Sequence, residues 1–286
     1  MKKITVSKAI GEALHEEMLR DDKVFIMGED MAVMGNVFAI TKGFLEEFGP
    51  KRVIDTPISE EGFVGMAVGA AMRGMRPVVE LMYDDFATEC ADPLFNQAAK
   101  IRYMTGGQCH VPMVLRAPMG AGRRNAGQHS QSLENFFCHF PGLKVVAPCT
   151  AQDAKGLLKS AIRDDDPVIF LEHKLLYAHK EQIPEEEYTI PLGQADIKRE
   201  GKDITIITWS REVNFSLEAA KTLAEQGIDA EVLDLRTLVP LDWDAIVQSV
   251  SKTHNAIIVS EEVKRGSFAG ELSAQIAEEL FDELDA

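Results

Sequence analysis

The stretch that most constrains this chain is Asp55-Thr56-Pro57-Ile58-Ser59-Glu60-Glu61-Gly62-Phe63-Val64-Gly65-Met66-Ala67-Val68-Gly69-Ala70-Ala71. Pro57 ends a strand expected over residues 52–54, and Ser59 is placed to cap a helix whose first turn carries Glu60 and Glu61. The helix is built from small residues, with Gly62, Gly65, Gly69 and Ala70 near one face. Such a face costs helix propensity, which only a tightly packed neighbour offsets. Two readings of the acids stay open. They complement the helix dipole, or one of them faces whatever packs at the helix mouth.

Around this stretch, strands and helices alternate. Residues 5–20 place Ile10, Ala13, Leu14 and Met18 on one helical face. A buried strand over 24–27 ends in Gly28-Glu29-Asp30, which is either a polar turn or a pair of acids at the rim of a parallel sheet, where α/β ligands bind. A short helix over 41–48 stops at Gly49-Pro50. Strands follow over 77–82, 111–116, 143–146 and 168–172, with a long helix over 87–104 and another over 153–163. The loop over 117–131 is of a length that is usually functional or disordered. Residues 174–200 show no clean period and read as a connection. Beyond 201 the pattern resumes: strands over 204–208, 230–235 and 256–260, and helices over 214–226, 242–251 and 267–284. The expectation is an α/β protein of two domains, 1–175 and 201–286, joined by 176–200, with largely parallel sheets covered on both faces.

Composition narrows the function classes. At 286 residues two cores of ordinary size are affordable in chain length. A net charge of −16 and a pI near 4.9 argue against nucleic acid or an anionic membrane as partners. No apolar run is long enough to span a bilayer. Cys90, Cys109, Cys138 and Cys149 show no C-x-x-C pairing and read as isolated thiols of a reducing compartment, the cytoplasm by default. Several motifs fail on inspection. Gly120-Ala121-Gly122-Arg123-Arg124-Asn125 has Asn where a dinucleotide fingerprint needs Gly, and Gly122 to Gly127 is followed by Gln128-His129 where a P-loop needs Lys-Ser/Thr. The histidines are scattered.

The runs DTPISEEGFVGMAVGAAMRGMRPVVELM, NQAAKIRYMTGGQ, RRNAGQHSQSLE, PGLKVVAP, DAKGLLKSAIRDDDPVIFLEHKLLY and SEEVKRGSFAGEL together cover nearly the whole chain. They resemble the β subunit of thiamine-diphosphate-dependent 2-oxoacid dehydrogenases of the pyruvate, branched-chain and acetoin types. The resemblance implies a thiamine-diphosphate pyrimidine-binding domain and a transketolase C-terminal-type domain. It implies that Glu60 is the acid at the aminopyrimidine ring nitrogen and that Phe86 is the aromatic on which that ring stacks. Glu29, Ile58, Ser59 and Met82 are then cofactor-binding neighbours, and Tyr83, Asp84 and Asp85 line the substrate side. His129, in GQHSQS, matches the histidine that faces the reacting carbon and exchanges protons during acyl transfer to lipoamide. Glu61 is not the match and keeps its dipole role.

Met82 points away from the branched-chain type, which carries Gln there. The runs RRNAGQHSQSLE and MYDDF lean toward the acetoin type, with pyruvate still open. Backbone carbonyls of Met113, Ala161, Ile162, Asp164 and Asp166 are implied as a potassium site, although the same run also reads as a charged turn. The Gly-Asp-Gly…Asn segment that holds Mg²⁺ and the diphosphate in this family is missing. The resemblance therefore implies half of an active site, completed by an α subunit in an α2β2 heterotetramer and docked on a lipoyl acyltransferase core. Alternatives are a subunit of a split transketolase-like enzyme or mainly a docking subunit. The family ordinarily adds another strand after the last helix, so an incomplete second sheet is expected here.

Overall fold

Seven strands form the larger sheet of the computed structural model, which describes residues 1–285. Their order is Thr237–Val239, Lys144–Val146, Val168–His173, Val114–Met119, Arg76–Glu80, Val24–Gly28 and Val53–Asp55. All neighbours run parallel except Thr237–Val239, which pairs antiparallel with Lys144–Val146. The central strands are buried along their whole length, as their mostly apolar sequences require when helices cover both faces, with Arg116, Glu172 and His173 buried among them. Gly28 lies opposite both Asp55 and Glu80 in register, so these strands end level at one edge. The loops that follow converge there.

On one face, helix Val6–Arg20 packs beside helix Ala151–Arg163. Thr5 and Thr150 cap them, each accepting a backbone N–H three residues on, from Lys8 at 3.2 Å and from Asp153 at 2.9 Å. Ile10, Leu14 and Met18 face the sheet. Between the helices the ammonium groups of Lys155 and Lys159, each 1% exposed, reach the Glu16 carboxylate at 2.5 and 2.8 Å. Helix Glu60–Met72 lies on the opposite face with Phe63, Val64, Ala67 and Val68 inward.

The smaller sheet has the order Ala256–Val259, Ile204–Thr208, Ala230–Asp234 and Asp196–Arg199, the last antiparallel. Its outer strand is an open edge on which Ile257 is 48% exposed. The two sheets share one continuous core: Ile207, Trp209 and Leu233 pack in the same cluster as Phe95, Phe137 and Leu143.

Four expectations are corrected. The stretch read as a bare connection contains strand Lys180–Ile183, which pairs with Lys2–Thr5 in a two-stranded sheet, and also strand Asp196–Arg199. Strand Thr237–Val239 crosses from the second half of the chain to complete the first sheet. The single helix expected over 87–104 is a 3₁₀ turn at Asp84–Thr88, a π-helical segment at Asp92–Ala98 and a short α-helix at Ile101–Met104. Pro93 has no N–H to donate, and the ladder around it departs from α geometry. Ser59 occupies the cap position of Glu60–Met72, but its side chain makes no capping bond. A methyl at Gly62 would stand 2.7 Å from its hydroxyl oxygen.

Glu134 sits where the two halves meet, 2% exposed, accepting from the Trp209 indole N–H at 3.2 Å. Burial pushes its carboxyl up to about 7, and the Glu262 and Glu212 carboxylates add to this. An unfolded glutamate titrates near pH 4.3. A folded value above the unfolded one makes a contribution that is complete below about pH 4.3 and is lost as the pH rises through about 7. Glu134→Gln removes that loss. The variant is therefore expected to match the wild type near pH 4.5 and to exceed it at pH 8 by on the order of 1–3 kcal/mol. Thermal melts at the two pH values check this, and a difference independent of pH contradicts it.

Candidate active site

The site is built at the level edge of the larger sheet. Gly28 ends its strand, and the following Glu29 turns inward, 8% exposed. Burial pushes its carboxyl up, with Glu60 and then Asp30 adding repulsion. Glu60 opens helix Glu60–Met72 and is half-buried, whereas Glu61 beside it is exposed. Cys90 follows Phe86 by one turn and is buried. Its thiol lies 3.8 Å from the Phe86 carbonyl oxygen, and burial together with the Glu60 charge pushes it up to about 12.

Phe86, Tyr83 and His129 form a cluster of three rings. The Tyr83 and His129 centroids are 4.6 Å apart, Phe86 and His129 are 5.3 Å apart, and Tyr83 and Phe86 are 5.9 Å apart, all edge to face. His129 is therefore held against two rings, although it comes from a loop 43 residues downstream of Phe86 in the sequence (129 − 86).

The loop is fixed at both ends. Gly120 N–H donates to the Gln131 carbonyl at 2.7 Å, closing the loop on itself. Gly120 has φ +93°, and a Cβ there would lie 2.1 Å from the His173 ring, so only glycine fits. His173, buried, bonds the Glu261 carboxylate at 2.7 Å, and Glu261 also accepts from Ala121 N–H at 3.1 Å. At the far end Leu133 N–H donates to Asp84 at 3.1 Å, and the Gln131 side-chain amide donates to Asp85 at 2.8 Å. Burial pushes the Asp84 carboxyl well above the usual range, Asp85 and Glu134 adding to it. Asp84 and Asp85 were expected on the substrate side. The structure buries both and uses them to brace the loop that carries His129.

The remaining expected residues scatter around this centre. Ser59 and Ile58 stand exposed just before Glu60, Ile58 at 83%, and Met82 is half-buried between Leu81 and Tyr83. The five carbonyls read as a potassium site belong to a different place, beside the sheet end opposite the rim. There Arg76 donates to the Ile162 and Asp164 carbonyl oxygens at 3.1 and 2.8 Å. Val168 N–H and Asp164 N–H already bond the carbonyls of Met113 and Ala161, and the Asp166 carboxylate pairs with Arg102 and Lys144. Cys90, Gln131, His173, Lys174 and Glu261 were not singled out by sequence reasoning.

A half-buried carboxyl, a ring cluster and a braced histidine thus lie at the rim of a largely parallel sheet, where ligands of α/β proteins bind. Residues 2–180 match the family described as the transketolase pyrimidine binding domain, and residues 193–286 match the transketolase C-terminal domain. A pyruvate dehydrogenase E1 component subunit beta from Rickettsia felis is 52% identical over 99% of this chain and 87% of its own length. An acetoin:2,6-dichlorophenolindophenol oxidoreductase subunit beta from Cupriavidus necator is 49% identical over 100% of the chain and 87% of its own length. A 2-oxoisovalerate dehydrogenase subunit beta from Bacillus subtilis is 48% identical, covering 97% and 85%. A solved split-gene transketolase, an inactive β4 tetramer, has the same fold with a TM-score of 0.81 at 22% identity, covering 96% of this chain and 86% of that one. The chain belongs to the family of β subunits of 2-oxoacid and acetoin dehydrogenase E1 components.

Proposed function

We propose that this chain is the aminopyrimidine-binding half of a thiamine-diphosphate site in a 2-oxoacid or acetoin dehydrogenase, active with an α subunit and transferring the acyl group to lipoamide. The observation that carries this reading is the placement of Glu60 at a helix mouth on the same sheet edge as the ring cluster of Phe86, Tyr83 and His129. The donor set fits the group. An aminopyrimidine needs a flat apolar face and a proton-bearing acid at its edge, and Phe86 and Glu60 offer these. When bound, thiamine diphosphate supplies the carbon nucleophile and electron sink that cleavage next to a carbonyl requires. Glu60 holds a proton at the ring edge. Glu29, whose carboxyl is pushed up by burial and then by the Glu60 charge, is the neighbouring acid at the same rim. His129, oriented by Tyr83 and Phe86, holds or accepts a proton at the substrate oxygen.

Support for an α subunit comes from apolar side chains left open around Glu60: Ile58 at 83%, Met66 at 56%, and Val33 and Met34 at 77% and 64% exposure. The Val33 N–H reaches the Asp55 carboxylate at 3.5 Å, which brings that loop beside the same helix mouth. The diphosphate and Mg²⁺ are assigned to the α subunit, and potassium to second lone pairs of the carbonyls beside Arg76. The acidic surface suits a basic module of the acyltransferase core. A cytoplasmic setting goes with the isolated thiols; no described helix is long and apolar enough to cross a membrane.

Co-expression with an α subunit, followed by a panel of pyruvate, acetoin and 2-oxoisovalerate with lipoamide as acceptor, tests the reading. Reduced lipoamide with at least one of these is expected. Ketol transfer between sugars without lipoamide points instead to a split transketolase.

A further inference from the structure

Lys174 follows the last buried strand before the connection, at the start of the 3₁₀ turn Lys174–Leu176. It is 3% exposed, and its Nζ has no hydrogen-bond partner. Among the described residues no carboxylate oxygen comes within 4.0 Å of it. The ammonium stands 5.0 Å from the Tyr83 ring centroid, on the same ring whose edge meets His129. Burial pushes its pKa down, Asp84, Asp85 and Glu261 hold it up through space, and Arg123 pushes it down again. A buried ammonium with no bonded partner costs several kcal/mol and is rarely left so.

Its surroundings carry further unspent capacity. One oxygen each of Asp84 and Asp85, and the hydroxyls of Ser130 and Ser132, are buried without a partner. The other oxygens of the two aspartates are committed to Leu133 and Gln131. Burial, and after it the Asp85 charge, pushes the Asp84 carboxyl up and favours its protonated form. Lys174 is thus a buried ammonium against the Tyr83 ring that no carboxylate of the described residues meets at ion-pair distance.

Resting on the function proposed above, we infer that Lys174 anchors the carboxylate of an anionic 2-oxo acid, and so makes the site select 2-oxo acids over neutral acyloins. In a 2-oxo acid the carboxylate is bonded directly to the reacting carbonyl carbon. An anchor for it must lie one side chain away from the group that handles the carbonyl oxygen, and Lys174 lies one ring, Tyr83, away from His129. An acyloin presents no charge there and leaves the ammonium unbonded. The anchor binds the ground state: the charge it holds leaves as carbon dioxide, so it lowers KM without raising kcat.

The test uses the assembled enzyme with Lys174→Met and Lys174→Arg. A charge-assisted bond of this kind corresponds to about 10- to 100-fold. Lys174→Met is expected to raise KM for pyruvate by that factor with kcat within a few-fold, to leave kcat/KM for acetoin unchanged, and to be largely rescued by Lys174→Arg. Calorimetry supplies a readout independent of turnover. Oxamate, an uncleavable anion of pyruvate's shape, is expected to bind Lys174→Met at least 10-fold more weakly, while neutral oxamide binds both forms alike. Because an unpaired charge is removed, the thermal midpoint of Lys174→Met is expected to hold or rise. Equal oxamate affinity in wild type and Lys174→Met overturns the anchor, as does an equal loss for pyruvate and acetoin. A wild type that turns over none of pyruvate, acetoin and 2-oxoisovalerate contradicts the proposed function instead, and the oxamate and oxamide comparison still decides the role of Lys174.

Discussion

Glu60→Gln in the assembled enzyme is expected to lower turnover by about 10²- to 10⁴-fold, the range that a positioned proton-transfer group contributes. The variant keeps the shape and one hydrogen-bonding oxygen of the side chain but cannot lose or regain the proton at the ring edge. Assembly and thermal stability are expected to stay within experimental scatter, because Glu60 is half-buried and opens its helix without a capping duty. Steady-state rates with saturating cofactor, alongside the sedimentation profile, check both halves of the prediction. Wild-type turnover in a fully assembled Glu60→Gln enzyme assigns the acid to the helix dipole and removes it from the chemistry.

The largest expected effect on stability belongs to Arg116. Its guanidinium is fully buried in the middle of the larger sheet, bonded to both Glu172 oxygens at 2.7 and 2.8 Å and to Glu80 at 2.7 Å. Tyr177 donates to Glu172 at 2.7 Å, and the Asn36 amide donates to Glu80 at 2.6 Å. Asn36 in turn accepts from the N–H groups of Phe38 and Ile40, so the loop after Glu29 hangs on this network. Burial already pushes the Glu80 carboxyl up, and Arg116 is the main opposing charge. Arg116→Met leaves two buried carboxylates without a counter-charge. The expected cost is about 3–5 kcal/mol, and the thermal midpoint should fall by on the order of 10 °C. Activity should fall further than stability at a permissive temperature, because the loop beside Glu29 loses its anchor. A melt that moves by only a degree or two would show that the two acids are neutral in the folded chain and that the network carries little.

What the sequence made legible follows from which signals are local. Strand Val24–Gly28 and the first four residues of Val168–His173 are unbroken apolar runs, and such runs can be read without knowing their neighbours. Helix Val6–Arg20 shows its apolar face at helical spacing. The strands at Lys2–Thr5, Lys180–Ile183 and Thr237–Val239 are short, and they exist only because a distant partner is adjacent. Around Pro93 the apolar spacing stays helical while the hydrogen-bond ladder does not, so periodicity alone predicted a regular helix. At the site, motifs carried Glu60, Phe86 and His129. Their mutual approach depends on Asp84 and Asp85, and acids are read as exposed by default, so the bracing role was out of reach. Lys174 is distinguished by burial and a missing partner, and neither is a property of sequence.

The central claim is that this chain carries half of a cofactor site. One carboxyl and one ring wall contribute on the order of a few kcal/mol, and association entropy opposes binding by at least as much. Calorimetric titration of Mg²⁺ and thiamine diphosphate into the isolated chain, and then into the chain mixed with its α subunit, tests this directly. No measurable heat of binding is expected for the chain alone, with saturable binding and turnover appearing together in the mixture. Micromolar binding by the isolated chain would contradict the account.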